Sequence, residues 1–436
     1  MLENPLGIDR RLREAARALR SFRSELRHGS GEDHAFELLG RRASAELVRE
    51  LAENANDPLA PALLRWALRL HEEHALFDLQ VAHAAAFRIA RHPIDAPERG
   101  QLSLAELLEH ALENTKAERA TWFTLLVEHA ERATDLAVRR AERRTEVRAS
   151  LARFVPADFG GGRAEHEAAQ RWLSATDEAF GTLGIRTLDE LVEAGLGSDS
   201  RASWPARVTP RSLADLFRET HWLAHVAPEP DVALRALGAS SFLRALERFG
   251  AALRTALVDE RQPFALSNDA FGFERATFGW LFAGLPFNAA FAKRALGVSA
   301  RGSADHRRTL ARVLLVASRR EALEVLLADA AFEGRKALEQ TYVEATFRAL
   351  GVELSARAFG VLFTPQPNDP ARFAATLAAS DLDSTLTELY DEDWYRNPRA
   401  VEQLREMARL PAPTHAEPEV LERGASRLGA AIRAAL

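Results

Sequence analysis

The side chains able to hold a metal or move a proton cluster in a few places along the chain. His71, His74 and Asp78, in the run LHEEHALFD, recur at i, i+3 and i+7, so on one helix they share a face, with Glu72 and Glu73 beside them. Helical bundles do bind metals with such residues. Their paired pattern, however, is Glu-x-x-His from two helices, and the partners available here are Glu106 with His110 and Glu113, and Glu128 with His129. A second pair, His221 and His225, stands at i, i+4, as two imidazole ligands of one zinc would. A third ligand and a base would then have to come from beyond Pro228, where Glu229 is the nearest carboxylate. Histidines on Ala- and Leu-rich helices are more often surface or hydrogen-bonded core residues than ligands, so no metal is expected, and these five residues stand as the alternatives.

Other chemistries are excluded or reduced to ordinary structure. The chain has no cysteine, which removes disulfides, thiolate metal sites and a cysteine nucleophile. VPADFGGG, residues 155–162, lacks the Lys and Ser/Thr of a phosphate-binding loop and follows no predicted strand. No nucleophile elbow, dinucleotide fingerprint or kinase motif occurs. Arg139, Arg140, Arg143, Arg144 and Arg148 form a basic cluster interleaved with Glu142 and Glu146. Without interleaved aromatics or a wider basic field, it reads as a solvated helix end that complements the helix dipole. A formal net charge of -6 likewise speaks against nucleic acid or an anionic membrane as partner.

The elements that must position these residues are helical. Ala, Leu, Arg and Glu outweigh the β-branched residues, and apolar positions recur at helical spacing throughout. Residues 102–154 contain neither Gly nor Pro, which permits a helix or tight helical hairpin spanning up to roughly 75 Å. With 436 residues the chain exceeds what one core fills. The division expected is an N-terminal helical subdomain over 1–155, a linker with connecting helices over 156–208, and a C-terminal helical subdomain over 209–436. Charges in the first twenty residues leave no apolar run for a signal peptide, and no stretch of about eighteen apolar residues occurs anywhere. The chain is therefore read as a cytoplasmic bacterial protein.

From Ser203 onward a succession of segments has a familiar order: SWPARVTPRSLADLFRETHWLAHVAPEP, ALGASSFLRALERFG, the aromatic-rich stretch through LPFNAAFAKRALG, and ELYDEDWYRNPRAVEQLREM. Together they resemble the oligoendopeptidase F and thimet oligopeptidase family, helical zinc peptidases of the gluzincin type with a long channel. The resemblance covers roughly the last half and implies an H-E-x-x-H helix with a glutamate ligand one helix later. Registered on HWLAHVAPEP, it places Asp215 and Glu219 where the histidines should be, Leu216 at the catalytic glutamate and Arg244 at the third ligand. The resemblance thus implies a degenerate relative. Leu216 removes the base that would activate water, and Arg244 repels a divalent metal. A guanidinium between two carboxylates at Asp215, Glu219 and Arg244 would fill the charge role of zinc as a salt-bridged plug.

Between Pro263 and Leu296 the chain concentrates Phe264, Phe271, Phe273, Phe278, Trp280, Phe282, Phe287 and Phe291. Such a segment is more often core than pocket. Beside a former peptide channel, Phe271, Phe273, Phe278 and Trp280, with Trp222, are candidates to line a cleft. The fold expected is all-α: two helical subdomains around a cleft, the C-terminal part with a zincin-like oligopeptidase fold. The function expected is that of a pseudo-peptidase, without cofactor, binding a protein, peptide or small-molecule partner. A hydrolase with a relocated metal site and a structural scaffold are the alternatives.

Overall fold

A computed structural model describes residues 4–27, 34–54, 56–88, 94–96, 100–113, 116–156, 159, 162–196 and 238–436. Of these residues 78% are helical, and the strands among them form one small antiparallel hairpin, β1 (Ile94–Ala96) with β2 (Gly100–Leu102), pairing Ile94 with Leu102. In chain order the helices of the first half are α1 (Pro5–Arg27), α2 (His34–Arg42), α3 (Ala45–Glu53), α4 (Ala60–Ala75), α5 (Phe77–Arg88), α6 (Leu104–Glu113), α7 (Lys116–Glu128) and α8 (Glu131–Ser150). There follow α9 (Arg163–Gly181), α10 (Leu188–Leu196), α11 (Ala239–Leu257), α12 (Phe264–Ser267), α13 (Phe273–Gly284) and α14 (Ala289–Arg294). The last are α15 (Ser303–Phe332), α16 (Arg335–Leu350), α17 (Asp369–Tyr390), α18 (Pro398–Arg409) and α19 (Pro418–Ala435).

Two compact units result, and their chain segments interleave. The first holds 1–159, 262–270 and 326–366; the second holds 160–261, 271–325 and 367–436. The contiguous C-terminal subdomain expected over 209–436 is therefore interrupted twice. Hydrogen bonds explain the first return. Asp9, buried on α1, accepts from the backbone N–H of Phe264 and of Ala265 at 2.9 and 2.8 Å, supplying the cap that Pro263 cannot give α12. Trp66 of α4 donates its indole N–H to the Asn268 carbonyl at 2.7 Å.

The second return is pinned at Gly360. Its N–H donates to Thr134 Oγ1 at 3.0 Å, and the Thr134 hydroxyl donates to the Arg357 carbonyl at 2.5 Å. A Cβ on Gly360 would lie 2.3 Å from the α8 backbone, so only glycine allows this approach. The same anchorage bears on the long Gly/Pro-free stretch, which forms three helices rather than one helix or a hairpin. The α7–α8 break at His129 and Ala130 has no breaker residue. Leu126, Ala130 and Ala133 are all fully buried there, and tertiary burial overrides local propensity.

In the first unit, Ile8, Leu12, Ala15, Leu19 and Phe22 make a buried stripe along α1, and Phe22 stacks on Phe77 at 4.2 Å. In the second, α17 lies at the centre, with Phe373, Ala374, Ala375, Leu377, Ala378 and Ala379 all buried. Helices α11 and α13 pack backbone to backbone. A Cβ on Gly250 would stand 2.2 Å from the Phe278 carbonyl oxygen, and one on Gly279 2.9 Å from that of Glu247. No described helix is long and apolar enough to cross a membrane.

Candidate functional site

In the second unit three helices bring charged groups to one place. Glu247 comes from α11, Arg320, Glu321 and Glu324 from α15, and Arg372 and Thr376 from α17. Glu321 is buried. Its carboxylate accepts from Arg372 Nη2 at 3.1 Å and from the Thr376 hydroxyl at 2.5 Å. Arg372 is 29% exposed at the side chain and also stands 4.0 Å from Glu247, itself 28% exposed, so the cluster is closed at Glu321 and opens outward along Arg372. Arg244 and Arg248 continue the positive edge on α11: both are exposed, and Arg244 donates to Ser240 Oγ one turn back at 3.3 Å.

Burial pushes the Glu321 carboxyl up to about 7, with Arg372 and Thr376 acting in the opposite direction. Burial would lower Arg372, but Glu321, Glu324, Glu247 and Asp369 outweigh it and hold the guanidinium firmly charged. Desolvation, then the neighbouring Arg320 and Arg248, press Arg244 below the usual arginine range. Also in the second unit, Arg254 of α11 and Glu274 of α13 form a buried ion pair through Nη2 and Oε2, their side chains 4% and 8% exposed. Burial on that scale requires the pair, since either charge alone would be stranded.

The residues singled out in the sequence fall as follows. Asp215, Leu216, Glu219, His221, Trp222 and His225 lie outside the described residues, and with them the carboxylate side of the expected plug. Phe271, Phe273 and Phe278 are buried, Phe278 completely and against α11, while Trp280 is half-buried. His71 and His74 stand on α4 and Asp78 on α5. Helix α4 ends at Ala75, and Asp78 is exposed on α5. His71 Nδ1 donates to the Ala43 carbonyl at 3.0 Å, and His74 stacks on Phe36 at 4.5 Å over Gly40. Glu106 accepts from the Ser103 N–H at 2.7 Å in a capping box, and His110 lies against Trp122. Among the described residues no group of three His, Asp or Glu is arranged to hold a metal ion.

The buried, ion-paired residues that sequence reasoning passed over are the glutamates between those histidines. Glu73 of α4 is fully buried and meets Arg69 at 2.6 Å, Arg23 at 2.7 Å and Gln80 at 2.8 Å. Desolvation alone would raise its carboxyl, yet Arg23, Arg69 and Gln80 together hold it far below the carboxylate range. Glu72 is gripped on both oxygens by Arg148 of α8. Arg140 and Arg144 are also buried and Arg148 is partly so, so the basic cluster read as a solvated helix end is largely interior, while Arg139 and Arg143, the latter paired with Glu146 at 2.9 Å, are exposed and match that reading. The available signal was arginine at four-residue spacing, 65 and 69 on α4 and 140, 144 and 148 on α8, on otherwise Ala-rich faces.

By its fold the chain is a helical protein of peptidase-like architecture. The chain is similar to a solved structure, PZ peptidase A with inhibitor 2, at a TM-score of 0.50 and 8% sequence identity, over 92% of this chain and 88% of that one. At that identity the likeness shows the fold alone, and it extends well beyond the half that the sequence landmarks covered. No family model matches the chain, and no curated protein does.

Proposed function

We propose that this is a non-catalytic protein of peptidase fold, which binds a peptide through carboxylates that meet the arginine edge of the second unit. The observation that carries the reading is the use made of interior carboxylates. Glu274 is committed to Arg254, and Glu321 to Arg372 and Thr376. A zinc site needs carboxylate and imidazole lone pairs free to converge on a cation. A guanidinium on each carboxylate supplies a competing positive charge instead, so these residues do not fit a metal. Arg244, Arg248, Arg320 and Arg372 leave the open side of the cluster cationic, suited to a peptide C-terminus or acidic side chains.

Elemental analysis and binding together test this. Protein purified without metal-affinity chromatography is expected to carry far less than one zinc per chain, and to cleave fluorogenic peptides no faster with added zinc. Peptides with a free carboxylate are expected to bind, by fluorescence anisotropy, about tenfold more weakly to Arg244→Ala/Arg320→Ala than to the parent. Stoichiometric zinc with zinc-dependent cleavage would sink the reading.

A further inference from the structure

The arginine edge of the second unit meets the interior through one side chain. Arg372 Nη2 donates to Glu321 Oε1 at 3.1 Å and stands 4.0 Å from Glu247 Oε1, while the exposed part of the same guanidinium belongs to the open side of the cluster. An outside carboxylate that takes Arg372 therefore competes with Glu321 for it. Two ionised carboxylates on one cation repel each other, and the one hidden from water is the one driven to take a proton.

Thr376 lets Glu321 do so without losing a hydrogen bond. Its Oγ1 lies 2.5 Å from Glu321 Oε2 and 3.1 Å from the Arg372 carbonyl one turn back, which gives one hydroxyl proton two acceptors. With Glu321 ionised, the hydroxyl donates to the carboxylate. With Glu321 protonated, it turns to the Arg372 carbonyl, and its oxygen accepts from the carboxyl O–H. The Glu321 side chain is only 1% exposed, where an unpaired polar group is costly, so partners in both states matter.

The charges around Glu321 are Arg372 and Asp369 from α17, Arg320 and Glu324 from α15 itself, and Glu247, with Arg244 and Arg248 beyond it, from α11. Charges on other helices packed against α17 are engaged elsewhere: Glu274 of α13 with Arg254, Asp177 of α9 with Arg319, and Arg423 and Arg427 of α19 with Asp381. Desolvation brings the Glu321 carboxyl up to about 7, so both of its states are accessible near neutral pH. We propose that a peptide carboxylate and a proton bind this site together: the carboxylate takes Arg372 over from Glu321, and Glu321 takes up one proton from solvent, bonded to Thr376 throughout. The inference rests on the peptide-binding reading above. Glu321 is then a positioning residue, acting through Arg372, and peptide affinity falls as pH rises through the neutral range.

The full chain is titrated with a rhodamine-labelled alanine peptide ending in a free carboxylate, and with the same peptide ending in an amide, by fluorescence anisotropy from about pH 5.5 to about pH 8. The peptide carboxylate and the arginines keep their charge across that range. The parent chain is expected to bind the acid peptide about tenfold more weakly at the upper end, where only about a tenth of the chains carry the proton on Glu321. Glu321→Gln, neutral at every pH, is expected to keep the low-pH affinity throughout. Thr376→Val removes the stronger, charge-assisted bond to the ionised form, so it is expected to move the fall in affinity to higher pH, and it stands in should the glutamine variant not fold. An acid peptide preferred over the amide but bound equally well at both ends of the range would overturn the proposal and leave the peptide-binding reading in place. So would a fall undiminished in Glu321→Gln or, in its stead, unshifted in Thr376→Val. An acid peptide bound no better than the amide at any pH would overturn both.

Discussion

Each unit buries a glutamate on an Ala- and Leu-rich helix among arginines, and the two glutamates are driven in opposite directions. Glu73 has Arg69, Arg23 and Gln80 around it, three donors of which two are cations, and its ionised form is strongly favoured. Glu321 has one half-exposed guanidinium and one hydroxyl, and desolvation wins, pushing it to about 7. Both side chains are equally hidden from water, at 0% and 1% exposed. Depth therefore does not decide the charge state of a buried carboxyl. The number of donors aimed at it does, because the desolvation penalty is roughly fixed while each charge-assisted hydrogen bond subtracts from it.

The sharpest way to break this comparison is to neutralise each glutamate in turn. Glu73→Gln leaves Arg23 and Arg69 buried against an uncharged amide, and is expected to cost about 3–5 kcal/mol in urea unfolding at pH 7. A loss under about 1 kcal/mol would mean that Glu73 is not the anchor of its cluster.

A smaller, pH-dependent effect is expected at Glu321. A carboxyl whose folded pKa is raised from 4.5 to about 7 keeps its proton longer in the folded chain. Its contribution is therefore fully present below pH 4.5 and is lost as pH rises through about 7, by on the order of 3 kcal/mol across the window. Glu321→Gln mimics the protonated form, so the difference between parent and variant should drift in favour of the variant over that window. A difference independent of pH between 4.5 and 7 would show Glu321 ionised throughout. Glu73 contributes with the opposite sign. Its stabilisation is present above the ordinary carboxylate range and is lost progressively as pH falls from that range into strong acid.

The smallest effect is expected at Arg143, whose exposed pair with Glu146 lies on the same helix as the buried row. Arg143→Ala should change stability by no more than about 0.5 kcal/mol, and the contrast with Arg144 would separate interior from surface within one turn of α8.

These contrasts mark what the sequence could and could not disclose. Helical periodicity and the lack of β-branched runs disclosed the all-α fold, because both are local properties repeated along every helix. The division of α6, α7 and α8 left no local mark, since Ala130 caps α8 by being buried rather than by being Gly or Pro. Among polar residues the difficulty was sharper. In LHEEHALFD the histidines have the more conspicuous chemistry, yet His71 and His74 are half-buried, one bonded to the Ala43 carbonyl and the other stacked on Phe36, while Glu72 and Glu73 face inward. Arg69, one turn before Glu73 on the same helix, could be read from the sequence, but the guanidiniums that come from other helices, Arg23 to Glu73 and Arg148 to Glu72, are not announced within α4. The Arg254–Glu274 pair was hidden for the same reason, two segments read separately as helix and aromatic run.

The hydrogen bonds of Asp9 have a consequence for the order of synthesis. Its acceptor oxygens leave the ribosome 255 residues before the Phe264 amide that they serve, and Thr134 precedes Gly360 by 226. At roughly 5–20 residues per second the first of these waits lasts about 13–50 s. Throughout that interval α1 is made but has no α12 to cap, and Thr134 of α8 has no Gly360 to meet. A nascent chain halted short of residue 262 would hold every helix from α1 to α8 and still lack both segments that close them.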